Sequence, residues 1–262
     1  MAGPPAFLDR DGIAIAYHHW PARGAGARLP GVVFLGGFMS DMEGGKALHL
    51  EAMCRARGQQ YTRLDYRGHG QSGGVFAEAG ISDWAGDAAA VIEAVTTGPQ
   101  VLVGSSMGGW IMLLTANRLD ARIRGLVGIA PAPDFVLRME AELSSAQKRE
   151  LESQGYTTRP TEYSDDPYII SKRLIDDGKQ NLVLTAGHGF TGPVRILHGL
   201  LDDAVPWRES LTLMDKLAST NVRITYVKDG DHRLSEPDQL EMLDAAVREV
   251  SALAADPNAQ EG

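Results

Sequence analysis

The segment spanning residues 101–117 constrains the fold more than any other part of the chain. An apolar run leads into the small-residue turn 104–108 (GSSMG), and a helix-forming segment follows from Trp110. A turn this short, between a strand and a helix, holds its central serine in a cramped backbone conformation. The residues two before and two after that serine must be small, because strand and helix approach closely there. The pattern predicts a strand–turn–helix unit that presents the hydroxyl of Ser106 at a helix N-terminus, where negative charge is favoured.

Strand-like and helix-like segments alternate along most of the chain. Residues 31–35 form a continuous apolar run, as expected of a strand buried on both faces of a sheet. Residues 13–20 are rich in β-formers and are typical of an antiparallel strand. This alternation predicts an α/β fold with a mostly parallel, doubly wound sheet and helices on both faces. The other predicted strands are 61–66, 101–103, 123–129, 193–198 and 222–227, and the predicted helices are 46–57, 81–97, 110–117, 208–218 and 237–253.

Residues 134–192 interrupt the alternation. They contain two charged helical patterns, one over 145–153 that is capped by Gly155 and one over 167–177 with Asp166 as its N-cap. We expect this segment to be a short helical lid inserted over the C-terminal edge of the sheet. The predicted organisation is a core of residues 1–133 and 193–254, a lid of residues 134–192 and a polar tail of residues 255–262.

Charge and cysteine content restrict the partners and the compartment. A formal net charge of −9 argues against nucleic acid or an anionic membrane as a general partner. Cys54 is the only cysteine, so no internal disulfide can form and a reducing compartment is favoured. No apolar run approaches the ~18 residues of a membrane span, and the first residues lack the pattern of a signal peptide. We therefore expect a cytoplasmic protein without a membrane span, and the sequence does not predict its oligomeric state.

A serine hydroxyl becomes a useful nucleophile only beside a base that is itself oriented by a carboxylate. The best candidate base is His232, which lies in a loop between a predicted strand and a predicted helix. Asp202 is the favoured acid because it holds the fifth position of the H-G-x-x-D run that begins at His198, while Asp203 is the competing candidate. We expect His198 to brace the acid loop through hydrogen bonds. The remaining histidines are interpreted as structural or solvated.

An acyl-transfer site also needs donors for the oxyanion of the tetrahedral intermediate. The backbone N–H groups of Met107 and Phe38 are the predicted donors, and Gly36 and Gly37 give the second loop the freedom to turn its amides inward. Apolar residues of the predicted lid are candidates to shelter an acyl chain, with ordinary packing of lid helices as the alternative. The residues assigned to substrate contact are Gly37, Trp110, Phe135 and Val136. No metal site and no organic cofactor is expected.

Four segments together resemble the α/β-hydrolase superfamily: residues 65–72, 104–109, 198–206 and 231–232. They stand in the order typical of that family, and the resemblance covers about residues 31 to 250. Residues 46–48, 103–110, 203–207 and 231–233 further resemble the mitochondrial palmitoyl-protein thioesterases, which are also described as mycophenolic acid acyl-glucuronide esterases. The resemblance implies an α/β-hydrolase fold and a triad of Ser106, Asp202 and His232. It implies long-chain S-acyl cysteines or acyl esters as substrates, although the chain departs from those thioesterases in lacking an evident mitochondrial presequence.

The sequence thus predicts a serine acyl hydrolase that acts on acyl thioesters and carboxylic esters through an acyl-serine intermediate. Its partner would be a small molecule or an S-acylated protein. Two alternatives stay open at this point. One is a different use of the same fold, such as C–C bond hydrolysis or cofactor-free perhydrolysis. The other is a non-catalytic binding protein on a hydrolase scaffold.

Overall fold

A computed structural model describes residues 3–161 and 167–255 of the chain. The strands are β1 (Ala6–Arg10), β2 (Ile13–Trp20), β3 (Gly31–Leu35), β4 (Tyr61–Leu64), β5 (Gln100–Ser105), β6 (Ile123–Ile129), β7 (Tyr156–Arg159), β8 (Tyr168–Ser171), β9 (Val194–Gly199) and β10 (Val222–Val227). The α-helices are α1 (Gly45–Ala56), α2 (Ile81–Val95), α3 (Met107–Arg118), α4 (Phe135–Ala141), α5 (Ser145–Gln154), α6 (Lys172–Lys179), α7 (Arg208–Lys216) and α8 (Pro237–Ala255).

Within the described residues, one large sheet has the strand order β1-β2-β4-β3-β5-β6-β9-β10. The pairs β1–β2 and β2–β4 are antiparallel, and every pair from β4 onward is parallel. The sheet is therefore mostly parallel, as the alternation of segments predicts. Since β5 lies near its middle, the turn that follows β5 is flanked by the carboxyl ends of β3 and β6, where open α/β sheets place their sites.

Apolar side chains cover both faces of the sheet. On one face, α2 and α3 pack against it with Trp84 and Trp110, neither of which is exposed to solvent. On the other face, α1 and α8 pack with Leu50, Cys54 and Val247, which are likewise fully buried. Burial on both faces explains why the central strands are continuous apolar runs rather than alternating ones.

Two local features differ from the expectations. Residues 168–171 form strand β8, which pairs antiparallel with β7, so the helix predicted over 167–177 begins only at Lys172. The β-branched pair Ile169 and Ile170 favours a strand, and the hydroxyl of Ser171 caps the shortened helix by accepting from the N–H of Leu174. Asp166, the predicted cap, lies outside the described residues. Strand β1 was not predicted.

Residues 134–192 contain α4, α5, α6 and the β7–β8 hairpin, and two buried carboxylates anchor this segment to its surroundings. Asp134 accepts from the N–H groups of Val183 and Leu184, at 2.8 Å each. Asp177 on α6 accepts from both the N–H and the hydroxyl of Ser82 at the start of α2. The division into core, lid and tail stays a prediction, and residues 256–262 of the expected tail lie outside the described residues.

Candidate active site

The turn between β5 and α3 holds Ser106 in a strained backbone conformation, with φ +54° and ψ −120°. Positive φ is costly for a residue with a side chain, so its neighbours must hold it in place. The Ser106 N–H donates to the carbonyl of Ile129 at 2.9 Å, and the Ser106 carbonyl accepts from the N–H groups of Gly109 and Ala132. The bonds with Ile129 and Ala132 tie the turn to the end of the neighbouring strand β6, and the bond from Gly109 closes the turn at the start of α3.

Small residues at 104 and 108 are a steric requirement of this turn. A Cβ atom at Gly104 would lie 2.4 Å from the carbonyl oxygen of Gly108. A Cβ atom at Gly108 would lie 2.1 Å from the carbonyl oxygen of Leu35 in β3. Backbone cannot withdraw from such contacts as a flexible side chain would, so the spacing of glycines in the sequence reflects the close approach of β3, β5 and α3.

Three side chains that are far apart in the sequence form one hydrogen-bonded chain at this turn. The imidazole Nε2 of His232 lies 3.1 Å from the hydroxyl oxygen of Ser106. The other ring nitrogen, Nδ1, lies 2.8 Å from Oδ2 of Asp202. A carboxylate only accepts, so Nδ1 carries the proton and Nε2 is left to accept from the serine hydroxyl. This is the arrangement that can remove a proton from an alcohol near neutral pH.

The carboxylate of Asp202 is fully buried, and four donors satisfy it. Oδ1 accepts from the backbone N–H groups of Ala204 and Val205, while Oδ2 accepts from His232 and from His198. Burial by itself would raise the pKa of this carboxyl, but the hydrogen bonds from the two imidazoles and from the Val205 N–H outweigh it and hold the pKa well below its usual value. Asp202 therefore remains an anion throughout the physiological range.

The loop after β3 approaches the serine from the opposite side. A Cβ atom at Gly37 would lie 3.5 Å from the Cβ of Ser106, which is ordinary van der Waals contact and shows that the two turns lie side by side. The hydroxyl of Ser40 folds back onto the carbonyl of Gly37 at 2.9 Å. Further along the same loop, the N–H of Met42 donates to Oδ1 of the buried Asp65, which follows β4, at 2.7 Å. This anchoring places Phe38, like Met107, in the wall of the cavity that contains Ser106.

A cavity of about 540 Å³ lies over the serine and is lined by residues of the core and of segment 134–192. Two of the four residues assigned to substrate contact, Gly37 and Phe135, line it. Trp110 and Val136 are not among the described residues that line it, and their assignment to substrate contact stays a prediction. Both are fully buried, with the Trp110 indole N–H donating to the carbonyl of Asn181 and Val136 packed on Gly178. In the structure they join α3 and α4 to α6.

Several cavity residues were not assigned to the site from the sequence, although Lys46 lies in one of the segments that resemble the thioesterases. Tyr168 from β8 lines the cavity and packs edge-on against the ring of Phe38. Met39 also lines the cavity, and its sulfur accepts a hydrogen bond from the N–H of Ile169. Lys46 at the start of α1 also lines the cavity, and its ammonium donates to the carbonyl of Arg233. These contacts join segments more than a hundred residues apart, and no local pattern marks them.

Comparison with known proteins agrees with this geometry. Residues 31–174 match the family described as "Serine aminopeptidase, S33", which is more than half of the chain. The palmitoyl-protein thioesterase ABHD10, mitochondrial, of Mus musculus is 36% identical over 217 residues, which are 82% of this chain and 73% of that protein. The chain belongs to the α/β-hydrolase family.

Two solved structures share nearly the whole fold of this hydrolase. A putative hydrolase from Agrobacterium vitis superposes with a TM-score of 0.88 at 37% identity, covering 94% of this chain and 97% of the other. The mouse α/β hydrolase domain-containing protein 10 superposes with a TM-score of 0.84 at 34% identity, covering 94% and 98%. This hydrolase is therefore an enzyme with acyl hydrolase activity. None of the helices in residues 3–161 and 167–255 is long and apolar enough to cross a bilayer.

Proposed function

We propose that this hydrolase cleaves acyl thioesters and carboxylic esters through an acyl-serine intermediate, with Ser106 as nucleophile, His232 as general base and Asp202 as the orienting acid. The observation that carries the proposal is the unbroken hydrogen-bonded chain from the Ser106 hydroxyl through His232 to the buried Asp202 carboxylate. Ser106 and His232 line the wall of the cavity in which we place the substrate.

The first half of the reaction is acyl transfer to the serine. Nε2 of His232 takes the hydroxyl proton of Ser106 as Oγ attacks the carbonyl carbon of the substrate. Asp202 holds the imidazole in the required tautomer and stabilises the imidazolium that forms. The imidazolium then gives its proton to the departing thiol or alcohol, which leaves an acyl group on Ser106.

The backbone N–H groups of Phe38 and Met107 are the proposed donors to the oxyanion. Met107 follows the nucleophile at the first position of α3, where the helix leaves its N–H groups unpaired by helical bonds. Phe38 follows Gly37, and both residues line the cavity that contains Ser106. Donors fixed in advance by two anchored turns stabilise the developing charge without further reorganisation, and one such donor contributes about 3 kcal/mol in comparable enzymes.

The second half of the reaction releases the acid. His232, again neutral, removes a proton from a water molecule that attacks the acyl-serine, and the proton returns to Ser106 Oγ as the carboxylic acid departs. Both halves use only side chains, backbone donors and water, so we propose that no metal or organic cofactor takes part.

Long-chain S-acyl cysteines and acyl glucuronides are the proposed substrate classes, carried by a small molecule or an S-acylated protein. The name of the mouse relative supports thioesters of fatty acids. The cavity supports an acyl chain because Phe34, Phe135 and Met139 line it.

We also propose a cytoplasmic location, although the mouse relative is named as mitochondrial. The single cysteine is free and buried, and burial raises the pKa of the Cys54 thiol to about 12. Such a chain neither needs nor forms an internal disulfide, which suits a reducing compartment. Cell fractionation tests the location, and recovery with organelles would contradict it.

Hydrolysis of a matched substrate series tests the function. The series comprises p-nitrophenyl esters, acyl-CoA thioesters and S-acylated peptides, each from acetyl to palmitoyl. We expect Ser106→Ala and His232→Ala each to lower kcat by about 10⁴-fold or more, and the double variant to be no worse, because the triad acts as a unit. Ser153→Ala, at an exposed position on α5, is the matched control. A fluorophosphonate probe should label the wild type and Ser153→Ala only. Full activity in Ser106→Ala would overturn the proposal.

A further inference from the structure

Lys46 is a charged residue that lines the cavity but takes no part in the acyl-transfer steps described above. It lies in the first turn of α1, half-buried, and lines the same cavity as Ser106 and His232. Its ammonium donates one hydrogen bond to the carbonyl of Arg233, the residue that directly follows His232. The ammonium therefore lies at the catalytic histidine's end of the cavity.

This ammonium lacks a carboxylate partner. Within the part of the chain that the structure describes, no carboxylate oxygen lies within 4.0 Å of Lys46 Nζ. Burial lowers the pKa of Lys46 to about 8, against an upward influence from Asp231 and with a further lowering by Arg233. A lysine held partly out of water without a counter-ion is costly, and it is retained where a ligand supplies the missing charge.

The cavity as a whole has the opposite charge balance to the chain. Its described lining includes four cations and one carboxylate, whereas the chain has a formal net charge of −9. The arginines on the side of segment 134–192 are engaged, Arg138 with Glu209 and Arg159 with Glu142. Lys46 and Arg233 are the two cations beside His232. A concentration of one sign of charge in a cleft of an oppositely charged protein attracts ligands of the complementary charge.

The position of Lys46 fixes which part of the substrate it faces. The imidazole of His232 must deliver its proton to the leaving thiol or alcohol, so groups next to His232 lie on the leaving-group side of the scissile bond. The proposed oxyanion donors, on Phe38 and Met107, belong to the two turns around Ser106 instead.

We propose that Lys46 is a specificity-determining residue that binds an anionic group, a carboxylate or a phosphate, on the leaving group of the substrate. The inference rests on the proposed acyl hydrolase function and narrows it to thioesters and esters whose thiol or alcohol part carries negative charge.

Matched thioesters test the charge preference directly. S-hexanoyl-N-acetylcysteine and its C-terminal amide differ only in whether the leaving group bears a carboxylate. S-hexanoyl-4′-phosphopantetheine and S-hexanoyl-pantetheine form the corresponding phosphate pair, so the two pairs together distinguish a carboxylate from a phosphate as the anionic group. We expect kcat/KM to be about 10- to 100-fold higher for the anionic member of at least one pair, the range of a charged hydrogen bond.

Substitutions then assign the preference to Lys46. Lys46→Met should remove the preference by lowering kcat/KM for the anionic thioester about 10-fold or more beyond any loss for its neutral partner, and Lys46→Arg should restore most of the preference. Lys148→Met, an exposed lysine on α5, is the matched control and should leave the preference intact. A loss of activity in Lys46→Met that is equal for charged and neutral thioesters would show a purely structural role and overturn the inference.

The pH profile gives an independent readout. The ammonium of Lys46 loses its proton near pH 8 in the free enzyme, and the charged groups around it are Asp41, Asp231 and Arg233. For the anionic thioester, kcat/KM should therefore fall as pH rises through about 8, and for the neutral thioester it should not. Equal profiles and equal rates for both members of each pair would overturn the inference but leave the acyl hydrolase function standing. Failure to cleave any thioester or ester would instead overturn the function.

Discussion

Nε2 of His198 lies 3.1 Å from Oδ2 of Asp202, the carboxylate oxygen that also accepts from the His232 imidazole. The same nitrogen of His198 lies 3.1 Å from the carbonyl oxygen of Val205, so it must carry the proton. Nδ1 of His198 is then the acceptor of a hydrogen bond that the Ser210 hydroxyl donates, at 2.7 Å. Two histidines thus share one acid, one facing the cavity and one in the core, and the buried one fixes the position of the carboxylate.

Replacement of His198 tests this shared acceptor. In His198→Leu, Asp202 loses a donor and the Ser210 hydroxyl loses its acceptor, so the free energy of unfolding should fall by about 2–3 kcal/mol. Activity should fall about tenfold, as is typical when a group that orients a reactive residue is removed. Urea unfolding and ester hydrolysis measure the two effects, and Ser210→Ala should show a smaller loss of stability. An unchanged urea midpoint in His198→Leu would contradict the interpretation.

The acid dependence of stability should follow Asp202. Its pKa in the folded protein is lowered, so the ionised carboxylate contributes stability that is present above its unfolded pKa of about 4 and is lost as pH falls towards the folded value. The difference in unfolding free energy between wild type and Asp202→Asn should be largest above about pH 5 and should shrink below about pH 4. Urea titrations across this range measure it, and a difference that grows on acidification would have the wrong sign.

The close approach at the serine turn predicts a severe effect of a single methyl group. In Gly108→Ala the new Cβ meets the carbonyl of Leu35 at 2.1 Å, and backbone must shift to relieve the contact. We expect a loss of about 2–3 kcal/mol in unfolding free energy and a large loss of activity, since Ser106 moves with the turn. Gly189→Ala is the control, because a Cβ there meets nothing within 4 Å. In thermal unfolding, Gly108→Ala should have a clearly lower midpoint temperature than wild type, and Gly189→Ala should not.

Substitutions of the two adjacent α4 residues Phe135 and Val136 should affect different properties, substrate binding in one case and stability in the other. Phe135 lines the cavity, whereas Val136 is fully buried against Gly178. Phe135→Ala should therefore raise KM and change the dependence of activity on acyl-chain length. Val136→Ala should lower the unfolding free energy by about 1–3 kcal/mol, with little change in KM. Substrate kinetics and urea unfolding on both variants measure these effects, and a change of chain-length preference in Val136→Ala would support the assignment of Val136 to substrate contact.

Local patterns were sufficient for the alternation of strands and helices and for the serine turn. The spacing of Gly104 and Gly108 follows from contacts within one strand–turn–helix unit, which is why a short window of sequence reveals it. The H-G-x-x-D pattern favours Asp202 over Asp203 as the acid, and Oδ2 of Asp202 lies 2.8 Å from Nδ1 of His232 in the structure. Patterns failed where tertiary pairing decided the outcome: residues 168–171 became a strand because β7 lies beside them.

The sequence by itself determined the order of the elements, the tight turn at Ser106 and the residue types available for acyl transfer, because each depends on neighbours along the chain. Only the tertiary structure decided which apolar side chains reach the cavity and which charges surround it. Trp110 and Phe135 have similar chemistry, yet one is buried under α6 and the other lines the cavity. Lys46 meets Arg233 from 187 positions away. Such contacts arise from the packing of the sheet, the helices and segment 134–192, and no local pattern encodes them.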